Sequence, residues 1–430
     1  MATLGCKVNQ YESAVLTGMF QNRGYWVVDF NQRADVCLIN TCTVTHLGDR
    51  KSRQLIRRVI RNNPEALVVV TGCYAQTSSD EVMAIEGVDL VVGTQDRARI
   101  VDLVEMAGQQ SGPINAVRDV FKNTKFEELP APVVTERVRA FLKIQEGCSN
   151  YCAYCIVPYA RGPLKSRAFE DALAEAGSLV AMGFKEIVVT GIHIGAYGQD
   201  LGEKGNLTAL LDSLAKLPGL ARLRVSSIEP MDITSELIEV MVAHEKICRH
   251  LHIPLQSGDD EVLKKMRRHY TVNDFRQLVR AIRRKIPDLA LTTDVIVGFP
   301  GETDEQFYNT YRFVQEIAFA RLHVFKYSPR RGTPAAEFSS QIPPPVKEER
   351  SKRLLVLGRK LAYFFALRQL GCRVQVLVEG PSGQHAGFYE GLTDDYLRVF
   401  FPSSSFNLRG ELVTVLIEEL QGTALKGTII

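Results

Sequence analysis

An alternation of short β-branched runs with amphipathic helical stretches, met twice along the chain, constrains its folding more than any other feature. Over residues 1–105 the runs are DVCLIN (35–40), ALVVV (66–70) and VDLVVG (88–93), with helical patterns near 12–23, 45–62 and 78–85. That order predicts an open parallel α/β sheet covered on both faces. A weakly patterned stretch, 106–136, reads as a linker or an edge strand. The alternation then resumes over 137–345 with six strand-like runs, at 139–145, 185–191, 223–228, 249–255, 291–299 and 321–328. Six βα units fall short of the full eight-fold barrel and predict a partial, open (βα)6 barrel. The prolines of QIPPPVKEER (341–350) close that domain, and a connecting helix is expected over 346–370. Beyond it, 371–430 breaks into four short strand runs, RVQVLVEG, HAGFYEGL, YLRVFFP and ELVTVLIEEL, with Gly, Ser and Asp turns, the pattern of a small antiparallel β-barrel.

Cysteine placement narrows the chemistry. Cys148, Cys152 and Cys155 fall within EGCSNYCAYC (146–155), just after the first barrel run. The chain holds 9 cysteines, an odd number that suits a disulfide framework poorly. Its start, MATLGCKVNQYESAVL, lacks the basic and apolar segments of a signal peptide. No run approaches the roughly 20 apolar residues of a membrane span. A cytoplasmic protein with reduced thiols and no membrane contact is therefore expected. Thiolates suit zinc, copper(I) or iron–sulfur clusters. A structural zinc site would need a fourth ligand, and no histidine falls between His46 and His193. An iron–sulfur cubane on three thiolates leaves one iron open, and the loop lies on the face where such barrels place their chemistry. Cys6, Cys42 and Cys73 each follow a strand run, so one crevice at the strand ends of a parallel sheet would gather them. Three separately buried structural cysteines are the alternative. Cys37 reads as a core side chain, and Cys248 and Cys372 as structural.

The spacing C-x3-C-x-x-C, with Tyr154 before the last cysteine, resembles the signature of radical S-adenosylmethionine enzymes. FLKIQEGCSNYCAYCIVPYARG (141–162) and TLGCKVNQYES (3–13), together with NTC and TGC around Cys42 and Cys73, resemble the methylthiotransferase branch of that family. The resemblance spans essentially the whole chain and implies an amino-terminal methylthiotransferase domain, a radical barrel and a carboxy-terminal TRAM domain. It implies two [4Fe–4S] clusters, one on Cys6, Cys42 and Cys73 and one on Cys148, Cys152 and Cys155, the second binding S-adenosylmethionine. It also assigns cofactor contacts at barrel strand ends: Gly191, Ser227 and Glu229 near the amino acid and ribose, Gln256 and Ser257 beside them, and backbone near Val295 and Gly298 for the adenine. Turn chemistry at strand ends explains any one of these equally well, and His252 reads equally as a satisfied core residue.

The implied reaction replaces C–H by C–S–CH3 and needs no acid–base pair. Within the branch, LGCKVNQYE and RAFLKIQEGC most resemble the enzymes acting on N6-threonylcarbamoyladenosine of tRNA, next to the anticodon. Isopentenyladenosine of tRNA, or a non-catalytic zinc-containing RNA-binding protein, are the alternatives. A reduced donor such as flavodoxin or ferredoxin and a sulfur source are implied partners. Residues 263–285 carry nine Lys or Arg against one Asp, so Arg267 and Arg268 are expected RNA contacts. The stretch 50–61 adds a second basic face, and a solvated helix surface explains either. Over 373–430, four Lys or Arg face seven Asp or Glu, so RNA binding there would fall to aromatics, Phe388, Tyr389 and Tyr396. Only five residues precede Cys6, which implies either a short first strand or a start upstream of Met1.

Overall fold

The computed structural model describes residues 1–132, 137–202, 205–403 and 407–430. The first domain is a five-stranded parallel sheet whose strands lie side by side in chain order: Ala2–Thr3, Val36–Thr41, Leu67–Gly72, Leu90–Val91 and Ile114–Asn115. Successive residues of a strand point to opposite faces. Leu38 and Val69 therefore pack with Leu16, Phe20 and Val104 on one face, while Ile39 and Val70 pack with Ile56, Val59 and Tyr74 on the other. The expected boundary at 105 is too early, because the helix Ile100–Ala107 and the strand Ile114–Asn115 complete this sheet. Residues 133–136 of the expected linker lie outside the described residues.

Six parallel strands form the second domain: Arg139–Lys143, Glu186–Thr190, Arg222–Val225, His250–His252, Ala290–Val297 and Arg321–Lys326. The first three and the last three pair continuously, and isolated bridges Leu223–Ile247 and Ser227–His252 join the two sheets. The first and last strands do not close on each other, giving the open barrel expected from six units. Local sequence sets where its helices begin. Thr271 with Asp274, and Thr303 with Gln306, form capping boxes that satisfy the first backbone N–H groups of Val272–Lys285 and Asp304–Ile317.

The prolines at 343–345 do more than end the barrel. Pro343 caps the helix Pro344–Leu367 and the other two occupy its first turn, where a missing N–H costs nothing. The last domain is a closed five-stranded barrel of Arg373–Pro381, Phe388–Leu392, Arg398–Pro402, Leu412–Gln421 and Ala424–Ile429. Its fifth strand was not expected. Gly427 interrupts the strand pattern there because a Cβ would stand 1.9 Å from the Leu416 carbonyl oxygen. Arg222 and Arg224 tie this barrel to the larger one by donating to the carbonyls of Gln375, Leu392, Thr393 and Asp394. Among the described residues no helix is long and apolar enough to cross a membrane.

Candidate active site

Three adjacent strands deliver the first cysteine triad. Cys42 and Cys73 follow Val36–Thr41 and Leu67–Gly72 directly, and Cys6 follows Ala2–Thr3 at the start of the helix Lys7–Asn22. Gly5 permits the approach: its φ is +113°, and a Cβ would meet Cys42 Cβ at 3.0 Å. Cys73 is buried, which pushes its thiol up to about 11 while Arg161 pulls the other way. Burial also raises Cys42.

The second triad occupies the loop after the first barrel strand. Gly147, at φ +73°, makes the turn, since a Cβ there would stand 1.8 Å from the Pro163 carbonyl oxygen. Burial pushes Cys155 up to about 12 and raises Cys152 against the pull of Arg268. Arg268 Nη1 lies 3.4 Å from Cys152 Sγ and 3.2 Å from Glu229 Oε1. Cys148 Sγ lies 3.9 Å from His193 Nδ1, whose other nitrogen is 2.7 Å from Asp232. Burial works against the charge of His193, but Asp232 and Cys148 outweigh it and its pKa stands at about 10.

The donor sets bear on which metal each triad suits. Ligands of a tetrahedral zinc sit about 3.8 Å apart when the metal–sulfur bonds are 2.3 Å long. Among the described residues, neither cysteine triad, nor any triad that includes His193, brings its donor atoms all within 4.8 Å of one another. His193 is thus near enough to touch the loop without completing a compact zinc site. Three thiolates at each triad are the soft donor set that iron–sulfur clusters take. Buried thiols also need the charge of a metal to ionise.

A buried ionic junction joins the triads. Arg161 ends the short helix Val157–Arg161 that follows Cys155, yet its Nε donates to Cys73 Sγ of the other triad at 3.2 Å. The same guanidinium donates to Asn9 at 2.6 Å, to Glu146 at 2.8 Å and to Glu12. Arg97 and Lys143 also face Glu12, at 3.1 and 3.0 Å, and Glu146, at 3.4 and 2.8 Å. Burial would protonate Glu12, but Arg161, Arg97 and Lys143 hold its pKa at about 2. All of these residues except Arg97 lie inside the two cysteine-bearing motifs, but nothing local in the sequence announces that they meet.

A cavity of about 980 Å³ opens where the three domains converge. Cys6 and Lys7 line it from the first domain, Gly191, Ser227, His252 and Asp294 from the barrel, and Tyr396 from the last domain. Tyr154, Cys155 and Gln256 line a smaller hollow of about 160 Å³ that shares Asp294 with it. Other expected contacts lie elsewhere. Ser257 is fully buried against Thr310, 3.2 Å away, and does not face the cavity. Val295 is buried in register with Val324, and its flanking backbone atoms, Asp294 O and Ile296 N, are bonded to Gln256. Gly298 N–H is held by Glu302 at 2.7 Å. Gln145 was missed: its Oε1 accepts from the N–H groups of Ile192 and His193, and its amide donates to the Glu146 and Gly147 carbonyls. It thereby fastens the cysteine loop to the Gly191 segment.

The expected RNA contacts divide. Arg267 is exposed, but the Arg268 side chain is 4% exposed and bound to Glu229, so it is a brace beside Cys152 and not an RNA contact. Counting charges along a basic stretch cannot tell which one turns inward. Phe388 and Tyr389 are half-buried, the first beside Lys426 and the second stacked on Phe401. Tyr396 lies over the Arg224 guanidinium, 3.7 Å from ring centroid to Cζ, at the cavity wall.

Residues 142–314 match the family model described as the radical SAM superfamily, residues 1–93 that of the uncharacterized protein family UPF0004, and residues 367–430 that of the TRAM domain. The chain is 48% identical over 418 residues to the threonylcarbamoyladenosine tRNA methylthiotransferase MtaB of Bacillus subtilis (strain 168), covering 96% of this chain and 92% of that one. It is 36% identical over 431 residues to the tRNA-2-methylthio-N(6)-dimethylallyladenosine synthase of Pelotomaculum thermopropionicum (strain DSM 13744 / JCM 10971 / SI), covering 99% and 96%. Among solved structures, the radical S-adenosylmethionine methyltransferase TsrM of Kitasatospora setae is similar in fold, with TM-score 0.58 and 17% identity over 78% of this chain and 76% of that one. The domain order, the two cysteine triads and this similarity along the full length agree: the chain is an enzyme of the radical S-adenosylmethionine methylthiotransferase family.

Proposed function

We propose that this enzyme converts the C2–H bond of N6-threonylcarbamoyladenosine, next to the anticodon of tRNA, into C–S–CH3. In this reading Cys148, Cys152 and Cys155 hold one [4Fe–4S] cluster, and Cys6, Cys42 and Cys73 a second. The observation that carries it is the shared cavity, where Cys6 of one triad and the Gly191 and Ser227 strand ends of the barrel line the same hollow. A nucleobase seated there meets Cys6 directly and reaches the second triad through the adjoining hollow lined by Tyr154 and Cys155, and about 980 Å³ is ample for a modified nucleoside. The bound clusters and S-adenosylmethionine would supply the electron, the sulfur and the methyl group, with a flavodoxin- or ferredoxin-like donor and a sulfur source replenishing them.

The chain's own residues position and insulate. Gln145 fixes the cysteine loop against the Gly191 segment. Arg268 and Glu229 brace Cys152. Arg161 fixes the distance between the triads. Proximity of this kind is what a reaction without an acid–base pair has to supply. The name of the 48% identical relative favours the threonylcarbamoyl nucleoside over the dimethylallyl one. Nucleoside mass spectrometry of tRNA from a strain lacking the gene tests the choice. Loss of the 2-methylthio derivative of N6-threonylcarbamoyladenosine is expected; loss of the isopentenyl derivative instead refutes it.

A further inference from the structure

The charges lining the cavity do not balance. Its wall carries Lys7, Arg137, Arg139 and Arg321 against two carboxylates, Asp294 and Glu379. Both carboxylates are already matched. Asp294 Oδ1 lies 3.2 Å from His252 Nε2 and 3.1 Å from His323 Nδ1, and Glu379 pairs with Arg139. Arg137 donates to Gln10. Lys7 and Arg321 are left over: among the described residues, no carboxylate stands within ion-pair distance of either. Lys7 is half-buried, directly follows Cys6, and holds its Nζ 5.7 Å from the centroid of the Tyr396 ring. Its ammonium is thus partly withdrawn from water at the junction of two domains, with a ring face beside it, the guanidinium groups of Arg224 and Arg139 acting against its charge, and Glu186 and the Cys6 sulfur favouring it without forming an ion pair. Such a cation is costly unless a ligand supplies the counter-charge.

We infer that Lys7, assisted by Arg321, is the specificity-determining group that receives a free carboxylate on the N6 substituent of the substrate nucleoside. This rests on the substrate reading above, since the threonyl group of N6-threonylcarbamoyladenosine ends in such a carboxylate. An isopentenyl group carries no charge and leaves the ammonium desolvated and unpaired, so one residue both attracts the first nucleoside and rejects the second. The two histidines on Asp294 serve the same end, because their ring nitrogens occupy the one carboxylate oxygen that would otherwise face the ligand inside the barrel. An RNA phosphate is the other anion in reach, and it predicts a different outcome.

The test measures binding of the reconstituted full-length enzyme to three anticodon stem-loops by fluorescence anisotropy. They differ only at the target adenosine: threonylcarbamoyl, its neutral methyl ester, or unmodified. A hydrogen-bonded charge contact predicts that wild type prefers the carboxylate over the ester by about tenfold or more. Lys7→Met should reduce that ratio to below about threefold, Lys7→Arg should retain it, and Arg321→Gln should lower it partially. Iron and sulfide content of each variant shows that the site beside Cys6 is intact. A Lys7→Met enzyme that keeps the tenfold preference overturns the inference, as does an equal loss of affinity for all three RNAs, which would make Lys7 a phosphate contact. Wild-type methylthiolation of isopentenyladenosine in place of the threonylcarbamoyl nucleoside would instead refute the substrate reading itself.

Discussion

Arg161→Met tests whether the buried junction acts as one unit. The change replaces a guanidinium by an apolar side chain and strands Glu12 and Glu146, both buried. Removing one partner of a buried ion pair costs about 3–5 kcal/mol. Arg97 and Lys143 still face both carboxylates at 2.8–3.4 Å, which puts the loss at the lower end, about 3 kcal/mol. If the charges are coupled, Glu12→Gln should be less harmful beside Arg161→Met than alone, because it removes one of the stranded charges. A double-mutant cycle should then return a coupling of about 1–3 kcal/mol. Urea denaturation of the cluster-free chain, followed by far-UV circular dichroism, is the suitable assay. The single tryptophan, Trp26, is 93% exposed and would report little by fluorescence. Costs that add to within about 0.5 kcal/mol would refute the argument that these groups form one network.

Three further outcomes follow from the same geometry. Glu12 has a folded pKa of about 2 against an ordinary 4.5, so its contribution is full above 4.5 and fades as pH falls toward 2; Glu12→Gln should flatten the fall in denaturation midpoint across that window. Gly147→Ala places a Cβ 1.8 Å from the Pro163 carbonyl oxygen at a φ of +73°, and reconstituted protein should lose about half its iron, with the other triad still loaded. Cys152→Ala should abolish S-adenosylmethionine cleavage, whereas Cys42→Ala should retain cleavage and lose sulfur insertion; normal methylthiolation by Cys42→Ala would remove the second triad from the account.

The strands and cysteines were legible because their signals are local. A β-branched run such as LVVV reports its own burial, and a cysteine just past it inherits a place at the sheet's crevice. The fifth strand of the last barrel was missed where a close backbone approach demands Gly427. The junction was illegible for a different reason. Glu12 and Arg161 are 149 residues apart, and only the docking of the first domain on the barrel makes them neighbours. His193 and Cys148, 45 residues apart, meet because the first two barrel strands pair side by side. The basic count over 263–285 pointed to Arg268 as a surface residue, although its positive charge is spent on Glu229.

The central claim is that each cysteine triad holds its own iron–sulfur cluster. Iron, acid-labile sulfide and zinc should be measured in anaerobically reconstituted wild type and in two variants, one with Cys6, Cys42 and Cys73 changed to alanine and one with Cys148, Cys152 and Cys155 changed. The account predicts about eight irons and eight sulfides in the wild type, about four of each in either variant, and no tightly bound zinc. Zinc without labile sulfide at either triad would contradict it.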